Sequence, residues 1–186
     1  MIAIIDYDAG NTFNVQKAFA YIGLDAVLTA DPEVILNADG VLLPGVGAYA
    51  SAVAVLKERG LVDVLHEVVK REIPLLGICL GMQLLFEESE EYGPTPGLGL
   101  IPGKVKEIPR DLGLSVPHMG WNKNVVHHQD SPFSNVDDQY TYFVHSYYVD
   151  TDPEYIISTA NYGIDVPGVV ERGRVYGMQS DSYSHI

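Results

Sequence analysis

The stretch that decides the fold is Pro74-Leu75-Leu76-Gly77-Ile78-Cys79-Leu80-Gly81-Met82-Gln83. It begins as a short apolar run of strand type and passes through a glycine-flanked turn into leucines at helical spacing. This order predicts a strand, a sharp elbow and a helix, with Cys79 held in a strained conformation at the elbow. The flanking Gly77 and Gly81 let the helix pack close to the strand.

Cys79 is the single cysteine of the chain and the candidate nucleophile. At a helix N-terminus, unpaired amides and the helix dipole favour the thiolate, which is the nucleophilic form. The alternative is a buried structural cysteine, because a free Cys behaves as a small hydrophobic residue. A single cysteine excludes an intramolecular disulfide, so the fold does not require an oxidising compartment.

Outward from the elbow, the first half of the chain alternates strand and helix patterns. Apolar runs predict strands at residues 2–5, 26–28 and 40–43, and helical spacing predicts helices at 11–22, 48–59, 61–71 and 80–86. Asp31-Pro32 predicts a brief helical turn as an N-cap followed by a first helical residue. This half predicts a parallel sheet built from βα units.

The second half is of β type. Residues 93–99 are turn-rich and predict a surface loop, and strand patterns resume at residues 104–108, 140–148 and 155–160. Two further runs at 169–170 and 175–176 predict a hairpin. We therefore expect one α/β domain over residues 1–186, with a mainly parallel central sheet and antiparallel additions from the second half.

Composition narrows the function classes. The 186 residues are 47% hydrophobic, which is enough for a core, and the net charge is -14. This acidity argues against nucleic acid and anionic membrane surfaces as partners, because both require clustered Lys and Arg. The N-terminus has no basic segment before its apolar run and predicts a strand rather than a signal peptide. We expect a soluble cytoplasmic protein.

A second turn, Pro44-Gly45-Val46-Gly47, follows a predicted strand in the same way as the elbow. Because ligands of open α/β sheets bind outside the carboxyl ends of the strands, the two turns are expected to face one pocket. Acyl transfer to a thiolate needs amide donors for the oxyanion, and the N–H groups of Val46 and Leu80 are the candidates. The alternative is an ordinary strand-to-helix turn.

A catalytic cysteine is normally paired with a histidine base. His66 lies in a helix of mixed polarity and is expected at the surface, whereas the adjacent pair His127-His128 is expected in a loop rather than at a metal. His118 and His145 have aromatic sequence neighbours, which suit either a ligand wall or a core edge. The residues alone do not choose between these two.

Several motifs together resemble the glutamine amidotransferase subunit of imidazole glycerol phosphate synthase, a class I, triad-type glutaminase family of histidine biosynthesis. They run in the order of that family from residue 1 to about residue 179. They are Asp6-Tyr7 with Gly10-Asn11, Pro44-Gly45-Val46-Gly47-Ala48, Gly77-Ile78-Cys79-Leu80-Gly81-Met82-Gln83-Leu84-Leu85-Phe86, Gly97-Leu98-Gly99-Leu100, Pro117-His118-Met119-Gly120-Trp121-Asn122 and Tyr142-Phe143-Val144-His145-Ser146-Tyr147-Tyr148.

The resemblance implies a flavodoxin-like fold with helices on both faces of the sheet and a chain that hydrolyses glutamine to glutamate and ammonia. It implies Cys79 as the nucleophile and the amides of Val46 and Leu80 as the oxyanion hole. Ammonia would pass to a (β/α)₈-barrel cyclase subunit that makes imidazole glycerol phosphate and aminoimidazole carboxamide ribotide. No cofactor or metal is implied. The glutamine-binding residues would be Gly47, Gln83, His145, Ser146 and Tyr147, and the partner-facing residues His118, Met119, Trp121 and Tyr142.

The chain departs from the family pattern at its end, over residues 180–186. Asp181 stands where the family has the triad histidine, and Tyr183 stands where it has the glutamate. The abrupt change is typical of a truncated or frame-shifted terminus, which sequencing through the stop codon would test. His185 is the one nearby candidate for a substitute base.

Three functions therefore stay open: an active glutaminase subunit, a docking subunit that binds the barrel without hydrolysing glutamine, and an unrelated thiol hydrolase. The residues at 180–186 separate the first two. Leu80 argues against the third, because some thiol hydrolases with this elbow place a histidine directly after the nucleophile.

Overall fold

The computed structural model describes residues 1–181, so Tyr183 and His185 lie outside the described residues. Within this range the helices are Thr12–Tyr21 (α1), Pro32–Leu36 (α2), Tyr49–Glu58 (α3), Leu61–Lys70 (α4) and Leu80–Leu84 (α5). The strands of the first half are Ile2–Ile5 (β1), Ala26–Thr29 (β2), Gly40–Leu43 (β3) and Leu75–Ile78 (β4). Those of the second half are Glu88–Ser89 (β5), Thr95–Pro96 (β6), Lys104–Glu107 (β7), His118–Val126 (β8), Tyr140–His145 (β9), Tyr147–Asp150 (β10), Ile156–Asn161 (β11), Asp165–Arg172 (β12) and Val175–Met178 (β13).

Nine strands form one mixed sheet in the order β2-β1-β3-β4-β13-β12-β11-β8-β9. The pairs from β2 to β13 are parallel, and the pairs from β13 to β9 are antiparallel. A smaller sheet has the order β10-β7-β5-β6. The α/β expectation is confirmed, and the antiparallel half of the large sheet is as extensive as the parallel half.

Local sequence signals set the helix starts in the first half. The Asp31 carboxylate accepts a hydrogen bond from the Glu33 N–H at 2.9 Å, and Pro32 occupies the first helical position of α2. This geometry is the expected one, because an N-cap oxygen satisfies an amide that the helix leaves unpaired. The predicted turn at Asp31-Pro32 is therefore confirmed.

The two faces of the parallel sheet are covered unequally. Helices α2, α3, α4 and α5 contribute to the main apolar core, together with β1, β3 and β4. On the opposite face, Val15 of α1 packs against Ile4 and Leu42 in a much smaller cluster. The expected helices on both faces are present, and the thick face is the one that carries the elbow helix α5.

Three segments of the second half differ from the sequence expectation. The predicted strand at 140–148 is two strands, β9 and β10, which belong to different sheets and are separated by Ser146. The nine-residue strand β8 was not predicted, because its polar and aromatic residues alternate without a continuous apolar run. The predicted loop at 93–99 contains the two-residue strand β6.

Candidate active site

The elbow has the predicted form. Strand β4 ends at Ile78, helix α5 begins at Leu80, and Cys79 between them has φ 55° and ψ -116°. A positive φ is costly for a residue with a side chain, so the surrounding structure must hold Cys79 in place. The Cys79 N–H donates to the carbonyl oxygen of Met178 on β13 at 2.8 Å, which ties the elbow to the neighbouring strand.

The loop after β3 packs directly on the elbow. A Cβ added to Gly81 would lie 1.9 Å from the carbonyl oxygen of Leu43, and one added to Gly45 would lie 2.7 Å from the Gly81 nitrogen. Both contacts are too short for any side chain, so glycine is required for this approach. The Tyr7 hydroxyl donates to the carbonyl of Pro44 at 2.5 Å and fixes the loop from below.

The two turns face one cavity of about 400 Å³. This volume lies within the range of small-molecule sites. Cys79 and all seven residues expected to bind glutamine or the oxyanion line it, together with Glu91, Tyr92, Val144 and Asp181: Val46, Gly47, Leu80, Gln83, His145, Ser146 and Tyr147. The expectation that both turns share one pocket is confirmed.

Glu91 is a cavity residue that the sequence analysis missed. Its carboxylate accepts a hydrogen bond from the Tyr49 N–H at 3.0 Å, at the start of α3. The N-cap residue of this helix, Ala48, has no side-chain acceptor. An N-terminal helix amide attracts a carboxylate, but Glu91 is 42 residues from Tyr49 in the chain, so no local signal joined the two.

The pKa of Cys79 favours the thiol, contrary to the expectation of a thiolate. Burial first, and the negative charge of Asp181 second, raise this pKa to about 11, while the hydrogen bond from the Leu80 N–H opposes the rise. Desolvation disfavours the charged form, and α5 has five residues, so its dipole is small. The elbow thus holds the sulfur at the cavity without ionising it.

The two histidines left open by the sequence lie together, and neither is a base for Cys79. The His145 Nδ1 donates to the carbonyl of Tyr147 at 2.7 Å, and its Nε2 lies 3.1 Å from the Nδ1 of His118. The remaining His118 nitrogen, Nε2, lies 2.7 Å from Oδ1 of Asn122. All four ring nitrogens are occupied; His145 lines the cavity, and His118 is buried against it.

The other described histidines lie elsewhere. His66 is exposed on α4, as expected. The Nε2 of His127 contacts the Thr159 hydroxyl at 2.8 Å, and the Nε2 of His128 contacts the carbonyl of Pro153 at 3.2 Å. None of the five histidines within residues 1–181 hydrogen-bonds to Cys79.

Gln179 is a second residue that the sequence analysis did not place in the site. It is fully buried, its Oε1 accepts from Gln83 Nε2 at 3.1 Å, and its own Nε2 lies 4.0 Å from the Cys79 sulfur. The signal was its position directly after β13, which pairs in parallel with β4, so that Gln179 comes level with Cys79. Gln83 also donates to the carbonyl of Tyr147 at 3.2 Å.

Comparison with known proteins decides the family. The model of the family Glutamine amidotransferase class-I matches residues 3–180, nearly the whole chain. The chain belongs to this family. Solved structures agree on the fold of the class-I glutamine amidotransferases: a crystal structure of a glutamine amidotransferase has a TM-score of 0.77 at 17% identity, covering 97% of this chain and 90% of that one. PurLQS from Thermotoga maritima has a TM-score of 0.73 at 17% identity, covering 97% and 86%.

Several relatives within this class-I family are much closer in sequence. Imidazole glycerol phosphate synthase subunit HisH of Lactiplantibacillus plantarum is 54% identical over 179 residues, which cover 96% of this chain and 86% of the relative. The protein of the same name from Streptococcus sanguinis is 51% identical, and that from Listeria monocytogenes serovar 1/2a is 49% identical, with the same coverage.

Asp181 is the residue at which the sequence resemblance predicts a triad histidine. Its backbone N–H donates to the carbonyl of Tyr142 at 3.0 Å, and its side chain lines the Cys79 cavity. The negative charge there raises the pKa of Cys79, whereas a histidine would accept the thiol proton. At the position where the resemblance predicts an imidazole, the structure has a carboxylate that lines the cavity.

The aromatic residues expected to face a partner differ in exposure. Met119 and Trp121 are 61% and 57% exposed, and Tyr142 is half-buried with its ring 5.6 Å from that of Trp121. His118 is fully buried, so its side chain is unavailable to a partner in this structure. The expectation for His118 is corrected, and the other three residues stay predicted interface residues.

Proposed function

We propose that this chain is the glutaminase subunit of an imidazole glycerol phosphate synthase and forms a cytoplasmic heterodimer with a (β/α)₈-barrel cyclase. Glutamine would be hydrolysed in the Cys79 cavity, and the barrel would use the ammonia to make imidazole glycerol phosphate and aminoimidazole carboxamide ribotide. The names of relatives about half identical in sequence support this assignment. The observation that carries it is the strained Cys79 facing a substrate-sized cavity.

The chemistry needs two half-reactions. The Cys79 sulfur attacks the side-chain amide carbon of glutamine, the thiol proton passes to the departing nitrogen, and ammonia leaves a thioester. Water then adds to the thioester, which releases glutamate and returns the proton to the sulfur. The N–H groups of Val46 and Leu80 would stabilise the oxyanion in both steps.

Substrate binding is assigned to the rest of the cavity wall. Gly47, Gln83, His145, Ser146 and Tyr147 would surround the glutamine, and the carboxylate of Glu91 supplies negative charge for its α-ammonium group. No residue of this set needs a metal or a cofactor for the reaction. Within residues 1–181, no group of three or more His, Cys, Asp or Glu side chains is arranged to hold a metal ion.

The partner would dock on the face that presents Met119, Trp121 and Tyr142. Exposed aromatic and Met side chains are enriched in the centres of protein interfaces. Ammonia is protonated in water and then no longer acts as a nucleophile, so its transfer to a docked partner must exclude water. No helix among residues 1–181 has the length and apolar character to cross a bilayer.

A docking subunit without turnover is the second candidate, and Asp181 favours it. Burial and, second to it, the Asp181 carboxylate raise the pKa of Cys79 to about 11, and no described histidine accepts the thiol proton. Loss of one member of the catalytic triad in a protease lowers turnover by about four to six orders of magnitude.

Two measurements separate these candidates. Ammonia release is measured with the barrel subunit bound and absent, with Cys79→Ala as the control. Labelling of Cys79 by acivicin, a glutamine-like electrophile, is followed by mass spectrometry under the same conditions. Labelling with turnover supports the glutaminase, labelling without turnover supports the docking subunit, and a cavity that neither labels nor turns over contradicts a glutamine site.

A further inference from the structure

Behind the cavity wall, two buried imidazoles contact each other directly. His118 on β8 and His145 on β9 are paired across the antiparallel ladder, and their facing nitrogens are 3.1 Å apart. The His118 ring is stacked against Phe143 and Tyr162, with centroid distances of 5.1 and 3.8 Å. His118 is fully buried and His145 is 6% exposed.

Both outer nitrogens of this pair face acceptors, so both must donate. The acceptor for His145 Nδ1 is the carbonyl of Tyr147, and the acceptor for His118 Nε2 is Oδ1 of Asn122. The orientation of Asn122 is fixed, because its Nδ2 donates to the carbonyl of Asn161 at 3.0 Å. The protons on the outer nitrogens are therefore set by fixed neighbours.

If both rings are neutral, no proton is left for the contact between the two facing nitrogens. A neutral imidazole carries one N–H and one lone pair. With each outer nitrogen protonated, two neutral rings would direct two lone pairs at each other over 3.1 Å. An N–H···N hydrogen bond at this contact requires one additional proton on the pair.

We propose that His118 and His145 share one additional proton across this contact, and that His118 is a positioning residue that holds the cavity wall through His145. The carbonyl of Tyr147 accepts hydrogen bonds from both His145 and Gln83, so the pair and Gln83 together fix residues 145–147. The consequence for glutamine binding rests on the proposed function, whereas the shared proton does not.

Burial of the pair opposes the positive charge. Desolvation lowers the pKa of His145 to about 4, and it also lowers the pKa of His118. The additional proton should therefore bind below the ordinary histidine midpoint of about 6.5. The titratable groups around the pair are Tyr162, which is stacked on His118, Tyr147, whose backbone carbonyl accepts from His145, and the side chains that line the same cavity: Cys79, Glu91, Tyr92 and Asp181.

The first test observes the protons directly. Ring ¹⁵N shifts of the isolated chain are followed by NMR from about pH 8 to about pH 3, a range that includes the ordinary histidine midpoint and the lowered pKa of His145. We expect His145 Nδ1 to stay protonated throughout and both rings to respond with one common midpoint. Two separate midpoints, or an unprotonated Nδ1 on His145, would overturn the shared proton.

The second test measures positioning by acivicin labelling of Cys79, in the presence of the barrel subunit and at a pH below the midpoint found by NMR, where the pair carries its additional proton. His118→Leu removes the contact, His118→Asn keeps an amide donor near the Nδ1 position, and His127→Leu is a matched control because His127 bonds to Thr159. We expect His118→Leu to raise the half-saturating concentration about fivefold to tenfold, the effect of one hydrogen bond, with little change in the limiting rate. His118→Asn should return the half-saturating concentration to that of the unmodified chain, and His127→Leu should leave this concentration unchanged.

Iodoacetamide alkylation and thermal unfolding accompany each variant, so that a loss of fold is distinguished from a loss of positioning. An unchanged half-saturating concentration in His118→Leu, or no rescue by His118→Asn in a folded chain, contradicts the positioning role. If acivicin fails to label the unmodified chain, the proposed function fails, and the NMR titration decides the histidine pair by itself.

Discussion

Cys79 of the elbow and His145 of the histidine pair both line one cavity, and the two parts of its wall are built in different ways. At the elbow, backbone contacts between glycine-containing turns hold Cys79, and the position follows from the close approach of Gly45 and Gly81. At the histidine pair, side chains from two antiparallel strands hold residues 145–147 through hydrogen bonds. Steric exclusion fixes the first wall, which holds Cys79, and hydrogen bonds fix the second wall, which holds residues 145–147. Mutations in the two walls should therefore have different effects.

The largest effect is expected where steric exclusion is tightest. In Gly81→Ala the new Cβ would meet the Leu43 carbonyl at 1.9 Å, and the backbone must move. We expect a loss of about 3 kcal/mol or more in the free energy of unfolding, measured by urea denaturation. Gly23→Ala is the control, with positive φ but nothing within 4 Å of its Cβ, and should cost about 1 kcal/mol. Equal losses in both variants would contradict the steric account of this wall.

The next effect concerns the charge that faces the elbow. Asp181→Asn removes the negative charge near Cys79, and Asp181→His supplies an imidazole at the predicted triad position. The thiolate reacts with iodoacetamide, so the rate for the unmodified chain should rise with pH and level off above about 11. Both variants should shift this profile to lower pH.

Asp181→His should also raise ammonia release, with the barrel subunit bound, by at least about 100-fold, the usual contribution of a general base. Asp181→Asn should shift the alkylation profile without this gain in turnover. A profile that Asp181→Asn leaves in place would show that burial alone sets the pKa of Cys79.

A smaller effect tests the outer surface of the antiparallel half. Trp121→Ala should weaken binding of the barrel subunit by about 2 kcal/mol, or roughly 30-fold, because exposed Trp residues at interfaces are frequent hot spots. Isothermal titration calorimetry measures the change. Tyr21→Ala is the matched control, since Tyr21 is 92% exposed on α1 and far from β8 in the sheet order. An equal loss in both variants would exclude a docking face centred on Trp121.

The smallest effect is expected from a single hydrogen bond under the loop after β3. Tyr7→Phe removes the hydroxyl that donates to the carbonyl of Pro44 and keeps the buried ring. We expect a loss of about 1 kcal/mol in unfolding free energy. The Cys79 alkylation profile should stay almost unchanged, because backbone packing rather than this hydroxyl positions the elbow. A large change in that profile would show that side-chain hydrogen bonds, and not backbone packing alone, position the elbow.

The sequence predicted the first wall well and the second poorly, for a physical reason. A strand run, a glycine-flanked turn and helical spacing are local signals, so the elbow and the loop after β3 could be located from neighbouring residues. Strand β8 and the partners of His118 are set by residues distant in the chain, such as Asn161 and Tyr162. Gln179 and Glu91 were missed for the same reason.

The protonation of Cys79 illustrates the limit of local reasoning. Its place at a helix start was predicted correctly, and a thiolate followed from that place alone. Burial and the Asp181 charge outweigh the short helix, and both depend on packing that no short stretch encodes. The location of the sulfur was readable from the sequence, whereas its acidity was not.

Ser146 is the single residue between β9, an edge strand of the large sheet, and β10, an edge strand of the small one. A molecule bound against residues 145–147 therefore contacts the point at which the chain passes from the large sheet to the small one. Binding of such a molecule would couple local opening of the two sheets. Amide hydrogen exchange in β9 and β10 should then slow together rather than one strand at a time.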